Sequence, residues 1–175
     1  MDYKVFGCKT NKYFAEKWIV HPHIEGKRGY FIASCVVTDR AKAKWVKHAL
    51  RILKKLKKEE TLFLSGCGNI RDGVIDPHFY EVYPELIEYR DRIELLPEDP
   101  QDYVVTPEEK KKMMQTKIRS LGGILGKRTY TRKHMVIQTG CDNFCTFCLT
   151  VQSRGRHRFR PKDEILDEIR EFVDQ

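Results

Sequence analysis

The 175-residue chain lacks the long apolar segments and the dense cysteine content that mark several protein classes. No run of apolar residues approaches the roughly 18 that a membrane-spanning helix requires. The first ten residues, MDYKVFGCKT, contain no apolar core of the kind that directs secretion. Six cysteines among 33% charged residues do not fit a small scaffold held by disulfide bonds. We therefore expect a cytoplasmic protein with no membrane partner.

The chain also has fewer acidic than basic residues. Lysine and arginine number 33 against 25 aspartates and glutamates, which gives a formal net charge of +8 with neutral histidine. Such an excess favours an anionic partner, nucleic acid above all. In a reducing compartment, clustered thiols are more typical of a metal site than of disulfide bonds.

Three of the six cysteines lie within eight positions of one segment, where Cys141, Cys145 and Cys148 have the spacing CxxxCxxC. Three soft thiolates in one loop can converge on one site. On a four-iron cluster they would leave one iron free to chelate a small molecule, whereas zinc would need a fourth ligand such as His157. Phe147 stands just before the last cysteine and favours the iron–sulfur alternative, because a bulky ring there could shield a cluster and pack on an adenine.

The other three cysteines each end an apolar run with strand character: YKVFGC, GYFIASC and TLFLSGC. Parallel strands place their C-terminal ends at one edge of a sheet, where open α/β sheets bind ligands. The pattern therefore predicts that Cys8, Cys35 and Cys67 lie together. The alternative is that they are buried cysteines acting as small hydrophobic residues. Gly7 and Gly66 precede two of them and would permit close approach of the backbone.

The alternation of these runs with helical periodicity, clearest over 39–58, predicts an α/β fold with a parallel sheet. We assign this N-terminal domain to residues 1–96. Prolines, an acidic stretch and a lysine-rich stretch over 97–133 indicate an interdomain linker. Residues 134–175 begin a second domain.

That second segment contains a predicted strand, HMVIQTG, then the cysteine loop, and then an amphipathic helix, KDEILDEIREFV. One strand and one helix cannot close a core of their own, so we interpret the segment as the truncated start of a domain. One face of the helix carries an apolar stripe that we expect to be exposed: Ile165, Leu166, Ile169, Phe172 and Val173.

These motifs together resemble one family. GCDNFCTFC, with an aromatic before its third cysteine, resembles the cluster loop of radical S-adenosylmethionine (SAM) enzymes, and the wider segment IQTGCDNFCTFC…RGRHRFRP resembles the methylthiotransferases. GCKTNKYFAE, SCVVTDRAKAK and LSGCGN resemble the three N-terminal cysteine motifs of that family, especially in the tRNA branch that acts on N6-threonylcarbamoyladenosine. The stretch between Cys8 and Cys35 is shorter than is usual in the family.

The resemblance implies two 4Fe-4S clusters in separate domains. One is the radical-SAM cluster, which binds SAM and is held by Cys141, Cys145 and Cys148. The other is the auxiliary cluster, which carries the sulfur to be inserted and is held by Cys8, Cys35 and Cys67. Phe147 would contact the SAM, and the segment 134–175 would be the start of a radical-SAM partial barrel.

The resemblance also implies an activity. A radical generated from SAM would activate carbon 2 of N6-threonylcarbamoyladenosine beside the tRNA anticodon, and a methylthio group would be inserted there. The partners would be the anticodon stem-loop, SAM and an electron donor such as a flavodoxin or a ferredoxin. The 175 residues alone are expected to be inactive.

Several alternatives stay open at this stage. The substrate could be isopentenyladenosine in tRNA or an aspartate of a ribosomal protein, or the chain could be a non-enzymatic metal-bound RNA-binding module. Four arginines could contact phosphate or the SAM carboxylate, or could form a solvated charged turn: Arg154, Arg156, Arg158 and Arg160.

Overall fold

The computed structural model of the chain describes residues 1–103 and 134–173. The first range contains, in chain order, β1 (Asp2–Val5), α1 (Lys9–Ile19), β2 (Gly29–Ser34), α2 (Asp39–Leu53), β3 (Thr61–Gly66), β4 (Ile70–Arg71), β5 (Val74–Ile75), α3 (Phe79–Val82), a 3-10 helix (Pro84–Arg92), β6 (Ile93–Leu95) and a second 3-10 helix (Pro100–Asp102). The second range contains β7 (Gln138–Thr139), α4 (Leu149–Arg154), β8 (Arg158–Phe159) and α5 (Lys162–Val173).

The centre of the first range is a four-stranded sheet in the order β1-β2-β3-β6. All three strand pairs are parallel. The predicted α/β fold with a parallel sheet is therefore confirmed.

The sheet is covered on both faces, because successive side chains of a strand point to opposite sides. One face packs against α2 and the segment after β5, and its buried residues include Ile32, Leu62, Leu64, Trp45, Ala49, Leu53 and Phe79. The other face packs against α1, and its buried residues include Phe31, Ala33, Phe63, Ala15, Trp18 and Leu96. The result is a three-layer arrangement in which neither helical layer covers the ends of the strands.

Helix α2 begins where the sequence indicates and ends earlier. The side chain of Thr38 caps its N-terminus by accepting a hydrogen bond from the Ala41 N–H at 3.1 Å. The helix ends at Leu53 rather than at residue 58. Beyond that end, Arg92 donates to the carbonyls of Leu56 and Lys57 at 2.8 and 2.9 Å, which fixes a turn into β3 in place of further helix.

Residues 97–103 fall at the start of the predicted linker and pack against the N-terminal domain. Trp18 Nε1 donates to the Pro97 carbonyl at 3.0 Å, and Ser65 Oγ donates to the same carbonyl at 2.8 Å. The Tyr103 ring lies against Trp18 with ring centroids 5.6 Å apart. The rest of the predicted linker, 104–133, lies outside the described residues.

The second range forms a small unit that rests on the first. Its strand β7 is shorter than the predicted HMVIQTG strand, because only Gln138 and Thr139 pair, antiparallel, with β8. Val136, from the same segment, is instead buried against Tyr13 and Phe14 of α1. The start of a radical-SAM barrel stays a prediction.

Helix α5 confirms the helix expected from KDEILDEIREFV, and none of its residues is fully buried. Its apolar stripe is in part exposed, most of all at Ile169 (39%) and Val173 (73%). Polar contacts of Glu168 attach the helix to the rest of the chain. Its carboxylate accepts a hydrogen bond from Tyr13 Oη at 2.7 Å and forms an ion pair with Arg160 at 2.9 Å. Within residues 1–103 and 134–173, no helix is long and apolar enough to cross a bilayer.

Candidate metal centres

The three strand-end cysteines lie at one edge of the sheet, as the sequence predicts. Cys35 directly follows β2 and Cys67 directly follows β3, and the last residues of these strands, Ser34 and Gly66, are register partners. Cys8 follows β1 after a short turn and occupies the N-cap position of α1, where its side chain makes no capping hydrogen bond. All three are free thiols.

The three thiols differ in their surroundings. Cys35 and Cys67 are buried, with 3% and 4% of their surface exposed, whereas Cys8 is exposed. Burial and the nearby Cys35 raise the pKa of Cys67 to about 12. Burial also acts to raise the pKa of Cys8, but hydrogen bonds from the Asn11 backbone and from Arg154 lower it by more. The surroundings of Cys8 therefore favour the thiolate, which is the form that binds metal.

Gly7 allows the turn between β1 and α1, which carries Cys8, to lie close to Cys35. Its φ is +98°, a left-handed conformation that residues with a side chain rarely adopt. A Cβ added there would lie 2.7 Å from Cys35 Sγ. The backbone of the first cysteine motif and the side chain of the second are thus in direct contact.

Two asparagines that follow cysteines hold these turns together. Asn11 donates through Nδ2 to the carbonyls of Phe6 and Ser34, which joins the end of β1 to the end of β2. Asn69 donates to the Leu96 carbonyl at 2.7 Å and accepts from Ser34 Oγ at 3.2 Å. Each asparagine replaces backbone pairing that the strands no longer supply beyond their ends.

A buried ion pair closes the same edge from the second unit. Arg154, the last residue of α4, donates through Nε and Nη2 to Glu98 at 2.7 and 2.6 Å. Its Nη2 also lies 3.9 Å from Cys8 Sγ. Burial lowers the pKa of Arg154, but Glu98, Cys67 and Cys8 raise it by more, so the guanidinium stays charged. Arg154 therefore places a positive charge beside the strand-end thiols.

The second cysteine set lies on a short loop between β7 and α4. The loop is closed at its base by the Cys141 N–H, which donates to the Gly155 carbonyl at 3.1 Å, and the Cys148 N–H donates to the Cys145 carbonyl at 2.9 Å. The pKa of Cys148 is lowered because the backbone N–H groups of Val151 and Thr150, at the start of α4, hydrogen-bond to its sulfur. All three thiols are at least partly accessible to solvent.

The aromatic residues of this loop point outward. Phe147 is 87% exposed, and Phe144, which adopts a φ of 47°, is 52% exposed. The guanidinium of Arg156 lies over the Phe144 ring at 5.6 Å from its centroid. Phe147 is therefore free to cover a group bound by the neighbouring cysteines.

The four arginines after the loop differ in exposure: the side chains of Arg154 and Arg160 are largely buried, whereas Arg156 and Arg158 are exposed. Arg154 pairs with Glu98, and Arg158 pairs with Asp102 at 3.1 Å. Arg160 donates to Tyr13 Oη at 2.7 Å and to the Val136 carbonyl at 2.9 Å. Three of the four thus join the second unit to the first, and Arg156 alone stacks within the loop.

His157 is occupied by contacts other than the cysteines. Its Nε2 lies 3.0 Å from Gln138 Oε1, and its ring packs edge-on against Phe159 at 4.1 Å. Across the described parts of the chain, no three His, Cys, Asp or Glu side chains lie close enough to share one metal ion. The thiolates of an iron–sulfur cluster bind separate iron atoms, and therefore stand farther apart than the roughly 3.8 Å between sulfurs on one zinc ion.

Two parts of the site were not identified from the sequence. Glu98 lies in a stretch that its composition marks as linker, and its partner Arg154 is 56 residues away. The β4–β5 hairpin follows Cys67 and contacts α4, and the segment IRDGVI carries the Asp-Gly signal that could have revealed it.

Comparisons with known proteins support one family. A protein from Pelagibacter ubique called tRNA-2-methylthio-N(6)-dimethylallyladenosine synthase is 27% identical over 97% of this chain and 41% of the relative. A protein of the same name from Carboxydothermus hydrogenoformans is 32% identical over 81% of this chain and 33% of the relative. The threonylcarbamoyladenosine tRNA methylthiotransferase MtaB from Thermotoga maritima is 28% identical over 97% and 40%.

The chain thus spans 33–41% of the length of these relatives. No family model matches it, and no solved structure is similar to it. The matches to tRNA methylthiotransferases nevertheless run through the whole N-terminal sheet and the cysteine loop. From its motifs, its parallel sheet and these relatives, the chain is similar over nearly its whole length to proteins of the methylthiotransferase family.

Proposed function

We propose that this chain is the part of a tRNA methylthiotransferase that holds two iron–sulfur sites. The observation that carries the proposal is the placement of Cys8, Cys35 and Cys67 at the C-terminal edge of the sheet. A second set of three thiols lies on the loop before α4: Cys141, Cys145 and Cys148. A donor set made wholly of thiolates suits iron–sulfur clusters, so the residues present fit the two 4Fe-4S groups that the family implies.

The chain's own residues would prepare the first site in three ways. Cys35 and Cys67 are withdrawn from solvent, which protects ligands from exchange and oxidation. Gly7 leaves room for Cys35 beside the turn that carries Cys8. When bound, the group at this site would supply the sulfur atom that is inserted into the substrate.

The cysteine loop would form the second site, where SAM is bound and cleaved. Phe147, 87% exposed and adjacent to Cys148, is the residue that we expect to contact the adenine of SAM. The electron needed for cleavage would come from a flavodoxin or a ferredoxin. The net charge of +8 supports the anticodon stem-loop of tRNA as the macromolecular partner, and tRNA modification would place the activity in the cytoplasm.

Two substrates are supported by different observations. The motifs GCKTN and SCVVT favour N6-threonylcarbamoyladenosine, and the Thermotoga maritima relative is named for that nucleoside. The relatives from Pelagibacter ubique and Carboxydothermus hydrogenoformans are named for dimethylallyladenosine, which makes this isopentenyl nucleoside the second candidate. Identities of 27% and 28% do not separate the two.

Nucleoside analysis tests the proposal directly. The protein that carries this chain would be expressed in bacteria whose own tRNA methylthiotransferases are deleted, and digested tRNA would be analysed by mass spectrometry. We expect a methylthio group on N6-threonylcarbamoyladenosine. If the product were methylthiolated dimethylallyladenosine, that nucleoside would be the substrate in place of N6-threonylcarbamoyladenosine. The absence of both products, with the protein loaded with iron and sulfide, would contradict the tRNA function and favour a protein substrate. Stoichiometric zinc in place of iron would favour a non-enzymatic RNA-binding module.

A division of labour between the two cysteine sets follows from the proposal. Replacing Cys35 with Ala should abolish methylthiolation and spare the cleavage of SAM, because SAM would be bound at the other set. Glu16→Ala, which removes an exposed pair with Lys12, is the matched control and should change neither. Equal loss of 5′-deoxyadenosine and of product in a folded Cys35→Ala variant would argue against separate roles. We further expect the 175 residues alone to yield no methylthiolated tRNA.

A further inference from the structure

The structure joins the two cysteine sets through one buried arginine. The side chains of Arg154 and Glu98 are only 11% and 6% exposed. Their two hydrogen bonds, at 2.6 and 2.7 Å, form the bidentate geometry that makes guanidinium–carboxylate pairs strong and directional. A pair buried to this degree costs desolvation, so it specifies geometry more than it adds stability.

Glu98 is itself fixed to the N-terminal domain. Its carbonyl accepts a hydrogen bond from Trp18 Nε1 at 3.2 Å, and the preceding Pro97 carbonyl is held by Trp18 and Ser65. Trp18 is fully buried beneath the sheet. The carboxylate that receives Arg154 is thus anchored to the core and cannot follow the second unit if that unit moves.

The guanidinium that pairs with Glu98 also reaches the first cysteine set. Arg154 Nη2 lies 3.9 Å from Cys8 Sγ, within the range of a hydrogen bond to sulfur. By comparison, Arg158 pairs with Asp102 at a more exposed position. Arg154 therefore has a contact that a purely structural ion pair would not need.

The backbone around Arg154 is held to the same edge a second time. At the tip of the β4–β5 hairpin, the N–H groups of Asp72 and Gly73 donate to the carbonyls of Gln152 and Ser153 at 2.9 and 2.8 Å. Gly155 lies so close to this tip that an added Cβ would be 3.0 Å from Asp72 backbone atoms. The hairpin begins three residues after Cys67, so the end of α4 is bound to the third cysteine motif as well.

Helix α4 is thus a short, rigid connection between the two cysteine sets. It starts after Cys148 and ends at Arg154, which corresponds to about 9 Å along a helix axis. We propose that Arg154 is a positioning residue that holds α4, and with it the cysteine loop, against the edge that carries Cys8, and that its cation acts on the group bound by Cys8. The inference rests on the proposed function for the identity of that group.

The first arm of the test measures the position of α4 and needs no iron. Hydrogen–deuterium exchange would be followed on the 175-residue chain for segments 70–75 and 149–155. Arg154→Met should speed exchange in both segments by about tenfold or more. Arg158→Met, which breaks a half-exposed pair with Asp102, is the matched control and should speed exchange much less in both segments. A double variant, Glu98→Gln with Arg154→Met, avoids an unpaired buried carboxylate and keeps the test valid if the single variant fails to fold.

The second arm measures an effect that a merely structural pair would not produce. With Cys141, Cys145 and Cys148 replaced by Ala, the remaining cluster's reduction potential would be determined by titration with electron paramagnetic resonance. Loss of a cation and of a hydrogen bond near a ligating sulfur disfavours the reduced cluster. Arg154→Met should therefore lower the potential, Arg154→Lys should restore part of it, and Arg158→Met should leave it unchanged.

The outcomes separate this inference from the proposed function. Exchange rates in Arg154→Met equal to those in Arg158→Met would overturn the positioning role, whether or not iron is bound. Faster exchange with an unchanged potential would reduce Arg154 to a structural ion pair and overturn its action at Cys8. A parent chain that binds no iron would contradict the proposed function, and the exchange rates alone would then decide the role of Arg154.

Discussion

Close approach of backbone segments constrains the residues at the cysteine-bearing edge of the sheet. Gly7 lies against Cys35, and Asn11 and Asn69 tie the strand ends to one another. These residues contribute little apolar area, so their importance is geometric. Substitutions there should displace sulfur atoms as well as reduce stability.

Replacing Gly7 with Ala should affect both stability and metal uptake. The left-handed φ alone costs about 1 kcal/mol for a residue with a side chain, and the new Cβ would also meet Cys35 Sγ at 2.7 Å. Gly26→Ala is the matched control, since Gly26 has a φ of +79° and nothing within 4 Å of an added Cβ. Urea unfolding should show a clearly larger loss for Gly7→Ala, and iron analysis should show reduced uptake only in that variant. Equal losses in the two variants would mean that the contact with Cys35 is unimportant.

Replacing Asn69 with Ala should be among the more damaging polar substitutions in the N-terminal domain. Asn69 is fully buried and donates to the carbonyls of Leu64 and Leu96, which would be left without this partner. We expect a loss of about 2–4 kcal/mol in the free energy of unfolding, measured in urea. Asn143→Ala, at an exposed position of the cysteine loop, should change it by less than about 0.5 kcal/mol. A loss for Asn69→Ala as small as that of the control would contradict this account.

Residue positions differed in how far the sequence could predict them. The placement of Cys8, Cys35 and Cys67 at one edge of the sheet was predictable, because it requires only that three strands be parallel neighbours. The pairing of Arg154 with Glu98 was not, since it depends on how a second unit docks. No local pattern records a contact across 56 residues.

At the scale of elements, helix α5 is attached to the rest of the chain by polar groups. Glu168 is 11% exposed and contacts Tyr13, Arg160 and Lys17, whereas no residue of the helix is fully buried. Burial of Tyr13 and its hydrogen bond to Glu168 raise the pKa of Tyr13, so this hydroxyl remains a donor. Glu168 therefore supplies the more buried polar attachment of α5, beside the exposed contact of Glu164 with Gln101.

Replacing Glu168 with Ala should release α5 from α1. The substitution removes an acceptor from Tyr13 and a partner from Arg160, and hydrogen bonds to charged groups contribute about 1.5–3 kcal/mol. Hydrogen–deuterium exchange of segment 162–173 should accelerate accordingly. Asp167→Ala is the control, because Asp167 pairs with Arg170 at an exposed position. Unchanged exchange in Glu168→Ala would show that apolar contacts hold the helix.

The elements predicted from periodicity were confirmed where the structure of a segment is determined by contacts within the N-terminal sheet and its helices. Helix α2 and the strands before Cys35 and Cys67 belong to this group. The strand expected from HMVIQTG was largely wrong, because Val136 is buried against α1 and only two residues pair with β8. An apolar run shows that a segment is buried and does not show what buries it.

At the scale of the whole molecule, the two cysteine sets belong to separate units that are in contact through Arg154 and the β4–β5 hairpin. The first set lies on a sheet with its own core, and the second lies on a loop whose thiols are accessible. Each set should therefore be able to bind its own group after the other set is removed.

Binding at each cysteine set can be measured by counting iron and sulfide per chain. After anaerobic reconstitution, iron and sulfide should each approach about eight per chain, as expected for two four-iron clusters held by cysteine thiolates. Replacement of the loop cysteines by Ala should halve both values, and so should replacement of the strand-end cysteines. A chain without Cys141, Cys145 and Cys148 that still bound the full complement would refute the assignment. A variant with all six cysteines replaced by Ala is the control for non-specific uptake.

The parallel arrangement of β1, β2 and β3 also bears on how the family can vary. Neighbouring strands stand about 4.8 Å apart whatever the length of the chain that links them, so the spacing of the strand ends is independent of the crossovers. Alignments with two relatives extend to 195 and 198 positions over 97% of this 175-residue chain, which means that they contain insertions and deletions. A compact connection between Cys8 and Cys35 is compatible with an unaltered site, because evolution can lengthen or trim a loop without moving the sulfur atoms at its ends.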